Sequence, residues 1–310
     1  MIFLNEKHKK IRWKQFIPFY ILALPGLIYM ICNNYFPMFG IIIAFKKLDF
    51  SKGILNSEWA GLSNFKFLFE SSAAYIIVRN TVLYNLAFII LGNVLAIACA
   101  ILINEIRNKY FTRFYQSVIL LPYLMSWVVV SNLVFAFLSA DNGLINNSVL
   151  KPLGLNLINW YNTASYWPFI LIGVYLWKST GYSMIIYLAS IVGINRDYYE
   201  AAMIDGATKW QQIKYITLPF LVPTVITLVT LAIGHIFNSD FGLFYQVPRN
   251  TGTLYKVTQT IDVYVYNALM KNNNYGMSSA ASVFQSIVGF TMVMITNAFI
   301  RKYSRENAIF

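Results

Sequence analysis

The apolar residues of this chain gather in six long segments that polar connections separate. A helix that crosses the hydrocarbon core of a membrane needs about 20 apolar residues, because the core is about 30 Å thick. Each segment reaches that length, so the pattern predicts an all-α membrane protein with six transmembrane helices. The predicted spans are residues 17–36, 76–104, 114–138, 166–192, 219–239 and 277–300.

The composition supports this interpretation. Hydrophobic residues make up 58% of the 310 residues, and charged residues make up only 12%, about half the share typical of a soluble domain. The formal charge is +12, but the basic residues lie at the ends of the apolar segments, as membrane topology requires. We therefore expect no nucleic-acid binding. Cys32 and Cys99 lie inside predicted spans, so we expect them to pack rather than form a disulfide.

The first span follows a basic tail, residues 1–16. Such a tail with an apolar run resembles a signal peptide, but this run is too long and lacks a small-residue cleavage site. We expect a retained span, and no soluble domain before or after the membrane part. The apolar residues 38–45 are separated from the span by Pro37 and Gly40, which predicts an interfacial or re-entrant piece.

Basic residues are distributed unevenly between the two sides of the predicted membrane domain, residues 17–300. Four connections on one side carry fourteen Lys and Arg residues, and three longer connections on the other side carry eight. Since these residues are denser on the cytoplasmic side, we predict that the first group, with both termini, is cytoplasmic. The first group comprises residues 1–16, 105–113, 193–217 and 301–310. The second group comprises residues 37–75, 139–165 and 240–276.

Small residues recur at every fourth position in the second span. Gly92, Ala96 and Ala100 lie on one helix face at this spacing, which allows a second helix backbone to approach closely in lipid. We therefore predict a tight helix contact there, either within the chain or with a partner.

The most informative polar connection follows the fourth span. We expect two short helices between Arg196 and Gln212, joined at Gly206, because glycine adopts positive φ without strain. Small alanines allow another backbone to approach, and Leu218-Pro219 ends the polar segment. By itself this pattern is also that of an ordinary amphipathic surface loop. The residues that we single out are Glu200, Ala201, Ala202, Asp205, Gly206 and Ala207.

The full spacing resembles the EAA loop of ATP-binding-cassette (ABC) importer permeases. Three residues separate Glu200-Ala201-Ala202 from Gly206, and Leu218-Pro219 begins twelve positions after Gly206. The resemblance implies a type I importer permease (MetI-like) fold, in which this loop is a coupling helix that docks on a separate ATPase. It also implies a carboxylate contact from Glu200, a sharp turn at Gly206 and a close-packed alanine surface.

Further motifs resemble permeases of the complex-polysaccharide and oligosaccharide branch over nearly the whole chain. The residues 241–253 depart from the pattern of that branch. The matching pieces include Pro37-Met38-Phe39-Gly40, Arg79-Asn80-Thr81, Leu121-Pro122, Ser126-Trp127, Trp177-Lys178, Gly181, Tyr187-Leu188-Ala189 and Ile261-Asp262-Val263-Tyr264.

Several polar and aromatic residues within the spans are candidates for the transport pathway. Lys178 lies near the middle of the fourth span, where a lysine is costly and should face protein or water. It is expected either to bind a glycan or to brace helices against backbone carbonyls. Asp240 is expected to contact sugar or to cap a helix. The remaining candidates for sugar contacts are Trp127, Asn132, Trp177, Tyr182, Tyr187 and Asn238.

The sequence contains no motif for catalysis. It has no P-loop and no nucleophile elbow, and His8 and His235 are too far apart in sequence and setting to indicate a metal site. We expect no enzyme activity, no metal and no cofactor in this chain; the resemblance implies that ATP and Mg²⁺ bind to partner ATPase subunits. The alternative is a secondary transporter or channel, which would need ionisable groups on several spans.

The resemblance implies a set of partners and a location. We expect the permease subunit of a binding-protein-dependent importer in the bacterial cell membrane that takes up an oligosaccharide or polysaccharide fragment by alternating access. The implied partners are a second homologous permease, two ATPase subunits, an extracytoplasmic solute-binding lipoprotein, the glycan and membrane lipid.

Overall fold

The structure is a computed structural model, and it describes residues 16–70 and 72–303. Within these residues, five helical runs are long and apolar enough to cross a membrane, and a bent pair of helices supplies a sixth span. The prediction of six spans in an all-α bundle is therefore confirmed. The helices that build the bundle and the polar loop are α1 (Ile17–Met30), α2 (Ser72–Asn104), α3 (Lys109–Leu124), α4 (Trp127–Leu138), α5 (Trp167–Val192), α6 (Arg196–Ile204), the four-residue α7 (Lys209–Gln212), α8 (Leu218–Gly234), α9 (Ile261–Asn272) and α10 (Tyr275–Tyr303).

The third span is broken, in contrast to the single helix predicted for residues 114–138. The helices α3 and α4 meet at an angle of 97°. Pro122 lies in the last turn of α3, and Met125 and Ser126 have extended backbones. The hydroxyl of Ser126 then accepts a hydrogen bond from the Val129 N–H at 3.4 Å and caps the start of α4. We call the junction at residues 125–126 the elbow.

The first helical run does not break at Pro37. It continues from Ile17 to Phe45, so the predicted separate piece at residues 38–45 is wrong. A π-helical turn at Ile31–Tyr35 precedes the proline, and Pro37 falls in the first turn of the next helical segment. A local π-helical adjustment satisfies the backbone groups that a proline frees, so the continuous helix tolerates Pro37.

The centre of the bundle is the contact between α2 and α5. Gly92 faces Leu176 of α5, and Ala96 and Ala100 are fully buried. The small-residue face therefore packs within the chain, which confirms the predicted tight contact and settles its partner. The surrounding buried side chains are Ile103, Met184, Tyr187, Leu188, Ile191 and Leu221.

A second apolar cluster fills the opposite end of the bundle. It joins α2, α4 and α5 to the segment that follows α8, and the stacked rings of Phe88 and Tyr175 lie at its centre, 3.7 Å apart. Its buried members are Tyr84, Phe88, Val130, Trp167, Leu171, Leu243, Phe244, Val247, Leu254 and Val263.

A small sheet lies beyond the first helical run, at the end where α2 begins. Its two antiparallel strands are β1 (Lys46–Lys47) and β2 (Glu58–Trp59), with Lys46 paired to Trp59. The amide of Asn64 donates hydrogen bonds to the carbonyls of Ala44 and Lys46, at 2.9 and 3.0 Å. These bonds fix the sheet to the end of the first helix.

Gly181 allows α3 and α5 to approach closely, and this contact gives a first prediction. A Cβ at Gly181 would lie 2.2 Å from the carbonyl oxygen of Ile119, whereas a Cβ at Gly173 of the same helix would meet nothing within 4 Å. Gly181→Ala should therefore lower the free energy of unfolding by about 1–3 kcal/mol, as overpacking does. Thermal unfolding of the purified protein in detergent measures the loss. Gly173→Ala is the matched control, and equal melting temperatures for the two variants would contradict the packing.

Candidate functional site

The first candidate site is the polar loop at residues 193–217, whose turn the structure builds as predicted. Asn195 caps α6 by accepting a hydrogen bond from the Asp197 N–H at 3.1 Å. At the other end, Gly206 has φ +76. The Gly206 N–H bonds to the Met203 carbonyl, and the Ala207 N–H bonds to the Ala202 carbonyl. This pair of bonds is a Schellman motif, which needs a left-handed residue at the position of Gly206.

The second helix of the loop is held by a capping box. The hydroxyl of Thr208 accepts a hydrogen bond from the Gln211 N–H, and the Gln211 side chain accepts one from the Thr208 N–H. Gln212 is buried and donates to the carbonyl of Ala207 at 3.2 Å. These bonds make the turn between α6 and α7 a rigid unit.

The loop is also attached to the membrane helices. The Lys209 ammonium lies 3.1 Å from the Glu105 carboxylate, directly after the end of α2. The hydroxyls of Tyr199 and Thr217 are hydrogen-bonded at 2.9 Å, which connects α6 to the start of α8. The ion pair is exposed and adds little stability by itself, but the two contacts connect the loop to two different spans.

The outer surface of the loop is apolar as well as charged. Glu200, Ala201 and Asp205 are exposed, and Ala202 and Ala207 are half-buried. Beside them, four large apolar side chains lie open to solvent, a feature typical of a docking surface rather than of a solvated loop. Sequence reasoning missed these residues, because their exposure depends on how the loop turns. They are Tyr198 (54% exposed), Met203 (53%), Ile204 (86%) and Trp210 (79%).

The second candidate site surrounds Lys178, in the middle of the bundle. Its ammonium donates hydrogen bonds to the carbonyls of Pro122 and Tyr123, at 3.4 and 2.8 Å. It also lies 5.4 Å from the centroid of the Tyr123 ring and 5.1 Å from that of Trp127. Both carbonyls belong to the last turn of α3, at the elbow. Lys178 therefore braces the helix break, which is one of the two roles that the sequence left open.

Asp240 lies on the other side of Trp127. Its carboxylate accepts a hydrogen bond from the Leu243 N–H at 3.2 Å, so it caps the helical turn Gly242–Gln246. The Trp127 side chain lies close to the same carboxylate. A Cβ on Gly242 would lie 2.0 Å from the Trp127 ring. Lys178, Trp127 and Asp240 thus form one packed group, which we call the elbow cluster.

The other predicted sugar contacts are scattered. Trp177 and Tyr182 are each 49% exposed on α5. Asn132 is exposed on α4, and Asn238 is exposed beyond α8. Tyr187 is fully buried and donates its hydroxyl hydrogen to Asn93. Tyr187 therefore presents no open surface to a glycan in this structure.

A polar cavity of about 250 Å³ lies between α2, α5 and α8. Of the predicted residues, only Tyr182 lines it. Most of the other polar lining residues were missed, because single Asn, Ser and Thr residues in a span are also common as packing residues. His235, for which no function was predicted, lies there as well. The polar side chains that line the cavity are Asn85, Asn93, Tyr175, Ser179, Thr180, Tyr182, Ser183 and His235.

Comparison with known proteins identifies the family. Residues 92–305, which include the loop, the elbow and most of the cavity lining, match the family described as "Binding-protein-dependent transport system inner membrane component". The chain belongs to this family of transporter permeases. The suspected type I importer permease fold is thereby confirmed, and the family is one of transport proteins.

A relative and two solved structures resemble nearly the whole permease. The polygalacturonan/rhamnogalacturonan transport system permease protein YteP of Bacillus subtilis is 37% identical over 99% of this chain and 95% of its own length. A chain of a bacterial ABC transporter that imports the acidic polysaccharide alginate is 31% identical, with a TM-score of 0.85 over 95% of this chain and 100% of that chain. A bacterial alginate ABC transporter in complex with an alginate pentasaccharide-bound periplasmic protein gives 30% identity and a TM-score of 0.84, over 96% of this chain and 99% of that chain.

The brace at the elbow gives a second prediction. Lys178→Met fills similar space but leaves the Tyr123 carbonyl without its donor, while the Pro122 carbonyl keeps only the Met125 N–H. It should therefore lower the free energy of unfolding by about 1–3 kcal/mol. Thermal unfolding in detergent is the measurement, and Lys66→Met, which removes an exposed lysine, is the control. A Lys178→Met variant as stable as the wild type would show that the ammonium does not hold the break.

Proposed function

We propose that this permease imports fragments of an acidic polysaccharide, driven by separate ATPase subunits. The observation that carries the proposal is the preformed loop with an apolar outer surface, on a chain that belongs to the binding-protein-dependent permeases. The acidic class is supported by the relatives, because one is named for polygalacturonan and rhamnogalacturonan and another for the import of acidic alginate.

The loop at residues 193–217 is proposed to dock on the ATPase. Exposed Ile204 and Trp210 supply apolar contact area, and Glu200 supplies a carboxylate next to them. ATP and Mg²⁺ bind on that partner and not on this chain. Docking to an ATPase requires the loop to be cytoplasmic. The high density of Lys and Arg on this side agrees with that location. Both termini lie on the same side as the loop and would then be cytoplasmic as well.

A second, homologous permease is proposed to complete the pathway. Residues 16–39 are exposed throughout in this single chain, which fits a first helix that lies against lipid on one side and a partner permease on the other. A solute-binding protein outside the cell would deliver the glycan to the connections 139–165 and 240–276. This arrangement is that of an importer in a bacterial cell membrane.

Transport is proposed to proceed by alternating access. ATP binding can shift the permease only if the ATPases have different affinities for its two states. The rigid loop carries that difference to α2 through Lys209 and Glu105, and to α8 through Tyr199 and Thr217. The pathway would pass the polar cavity and the elbow cluster, where Tyr182, Asn238 and Asp240 present polar groups to the glycan.

The turn at Gly206 gives a third prediction. Valine is strained at φ +76, at a cost of about 1–2 kcal/mol, although a Cβ there meets no atom within 4 Å. Gly206→Val should therefore leave membrane insertion intact, misplace the docking surface and reduce glycan uptake by at least about tenfold. Uptake by whole cells, with immunoblotting of the membrane fraction, tests this prediction.

Gly61→Val is the matched control for this experiment. Gly61 also has positive φ (+56) and open space at its Cβ, but it lies near the small sheet, outside the loop. We expect normal uptake from this variant. Normal uptake by Gly206→Val would count against docking and favour the alternative, a transporter that works without ATPase subunits.

A further inference from the structure

A strained turn lies within residues 241–253, in the connection between α8 and α9. Arg249 and Asn250 have φ of +54 and +47, and consecutive left-handed residues other than glycine are uncommon and costly. The Arg249 N–H bonds to the Gln246 carbonyl and the Asn250 N–H bonds to the Tyr245 carbonyl, each at 3.0 Å. The local backbone therefore holds the strain in place, as is typical of functional sites.

Asn250 anchors this turn from inside. Its side-chain N–H donates to the side-chain Oδ1 of Asn267 at 3.0 Å, and its own side-chain Oδ1 accepts from the Tyr255 hydroxyl at 3.0 Å. Both Asn250 and Asn267 are half-buried. These contacts stabilise the left-handed conformation of Asn250. The left-handed conformation of Arg249 directs its side chain outward.

The guanidinium of Arg249 is fixed but open. It stacks on Phe135 with its central carbon 3.7 Å from the ring centroid, and it donates one hydrogen bond to Asn132, at 3.1 Å. The residue is exposed. Among the side chains that the structure describes, no carboxylate lies within 4.0 Å of it. Since a guanidinium has five N–H donors, most of its donors are free for a ligand.

The same helix connects Arg249 to the elbow cluster. Trp127 begins α4 next to Lys178 and Asp240, and Phe135 lies eight residues later, about 12 Å along the helix axis. The Lys178 ammonium is occupied by two backbone carbonyls. Two of the three N–H donors of Lys178 are therefore used, and the residue is buried. Arg249, at the other end of α4, is exposed and has more donors free.

We propose that Arg249 binds a carboxylate of the acidic glycan as the glycan enters the permease. The planar fork of a guanidinium matches a carboxylate through two parallel hydrogen bonds, and the stack on Phe135 reduces the entropy lost on binding. The hydrogen bond to Asn132 holds the guanidinium of Arg249 in its orientation. This assignment rests on the proposed acidic substrate and names the residue that selects it.

The test is uptake of tetragalacturonide by the importer complex. The complex is purified with its partner chains, reconstituted in lipid vesicles and supplied with its binding protein and ATP. Arg249→Gln should raise KM for tetragalacturonide at least about tenfold, since the paired hydrogen bonds are lost. Arg249→Lys keeps the charge but not the planar fork, so its KM should lie between those of the wild type and Arg249→Gln. Lys66→Gln removes an exposed charge elsewhere and should match the wild type.

Three outcomes would overturn the assignment of Arg249 and leave the proposed substrate class intact. An Arg249→Gln variant with wild-type KM would show that the arginine does not bind the glycan. A lower kcat at unchanged KM, together with a lower melting temperature, would indicate a structural role. A defect that appears in vesicles with anionic lipid and vanishes in zwitterionic vesicles would indicate that Arg249 binds an anionic lipid headgroup. If the wild-type complex fails to import tetragalacturonide, while its ATP hydrolysis shows that it is intact, the proposed acidic substrate class is wrong, and the role of Arg249 fails with it.

Discussion

A helix that breaks inside a membrane leaves backbone carbonyls that lipid cannot satisfy, and this constraint governs the structure around the elbow. The end of α3 is such a break, and Lys178 meets two of its carbonyls. A lysine in the middle of a span is costly unless it has partners, so the break and the lysine stabilise each other. The rest of the elbow cluster packs on this contact, with Trp127 between Lys178 and Asp240.

The elbow also determines where α4 places its side chains. After the 97° turn, α4 leaves the direction of α3 and brings Asn132 and Phe135 to the turn at Arg249. At the other end of the bundle, the loop at residues 193–217 is rigid in itself and attached to α2 and α8. The tight packing of α2 on α5 lies between the two regions. One bundle therefore carries both the proposed docking surface and the proposed glycan contacts.

Local and periodic features of this chain were predictable from sequence. Six apolar lengths predicted six spans, small residues at every fourth position predicted the packing of α2, and a glycine between two short helices predicted the turn at Gly206. Each of these depends on neighbours in the sequence. The recognition of the loop as part of a permease depended on the spacing of several motifs, which is rarely met by chance.

The features that sequence missed depend on distant contacts. Arg249 and Phe135 are more than a hundred positions apart, so their stacking has no local signal. The bend at the elbow was missed because Pro122 is also compatible with a kinked but continuous helix. Residues 38–45 were separated from the first span because a π-helical turn that accommodates Pro37 is not visible in the pattern. The burial of Tyr187 was not predicted, because it depends on neighbouring helices that are distant in the sequence.

The central claim is that this permease works through the loop at residues 193–217 on a separate ATPase. The most direct measurement is gentle affinity purification of the chain from its native membrane, with mass spectrometry of the proteins that accompany it. We expect to recover a second permease with an EAA loop and an ATPase with a P-loop, together with a solute-binding protein. Repeated recovery of the folded chain alone would contradict the claim.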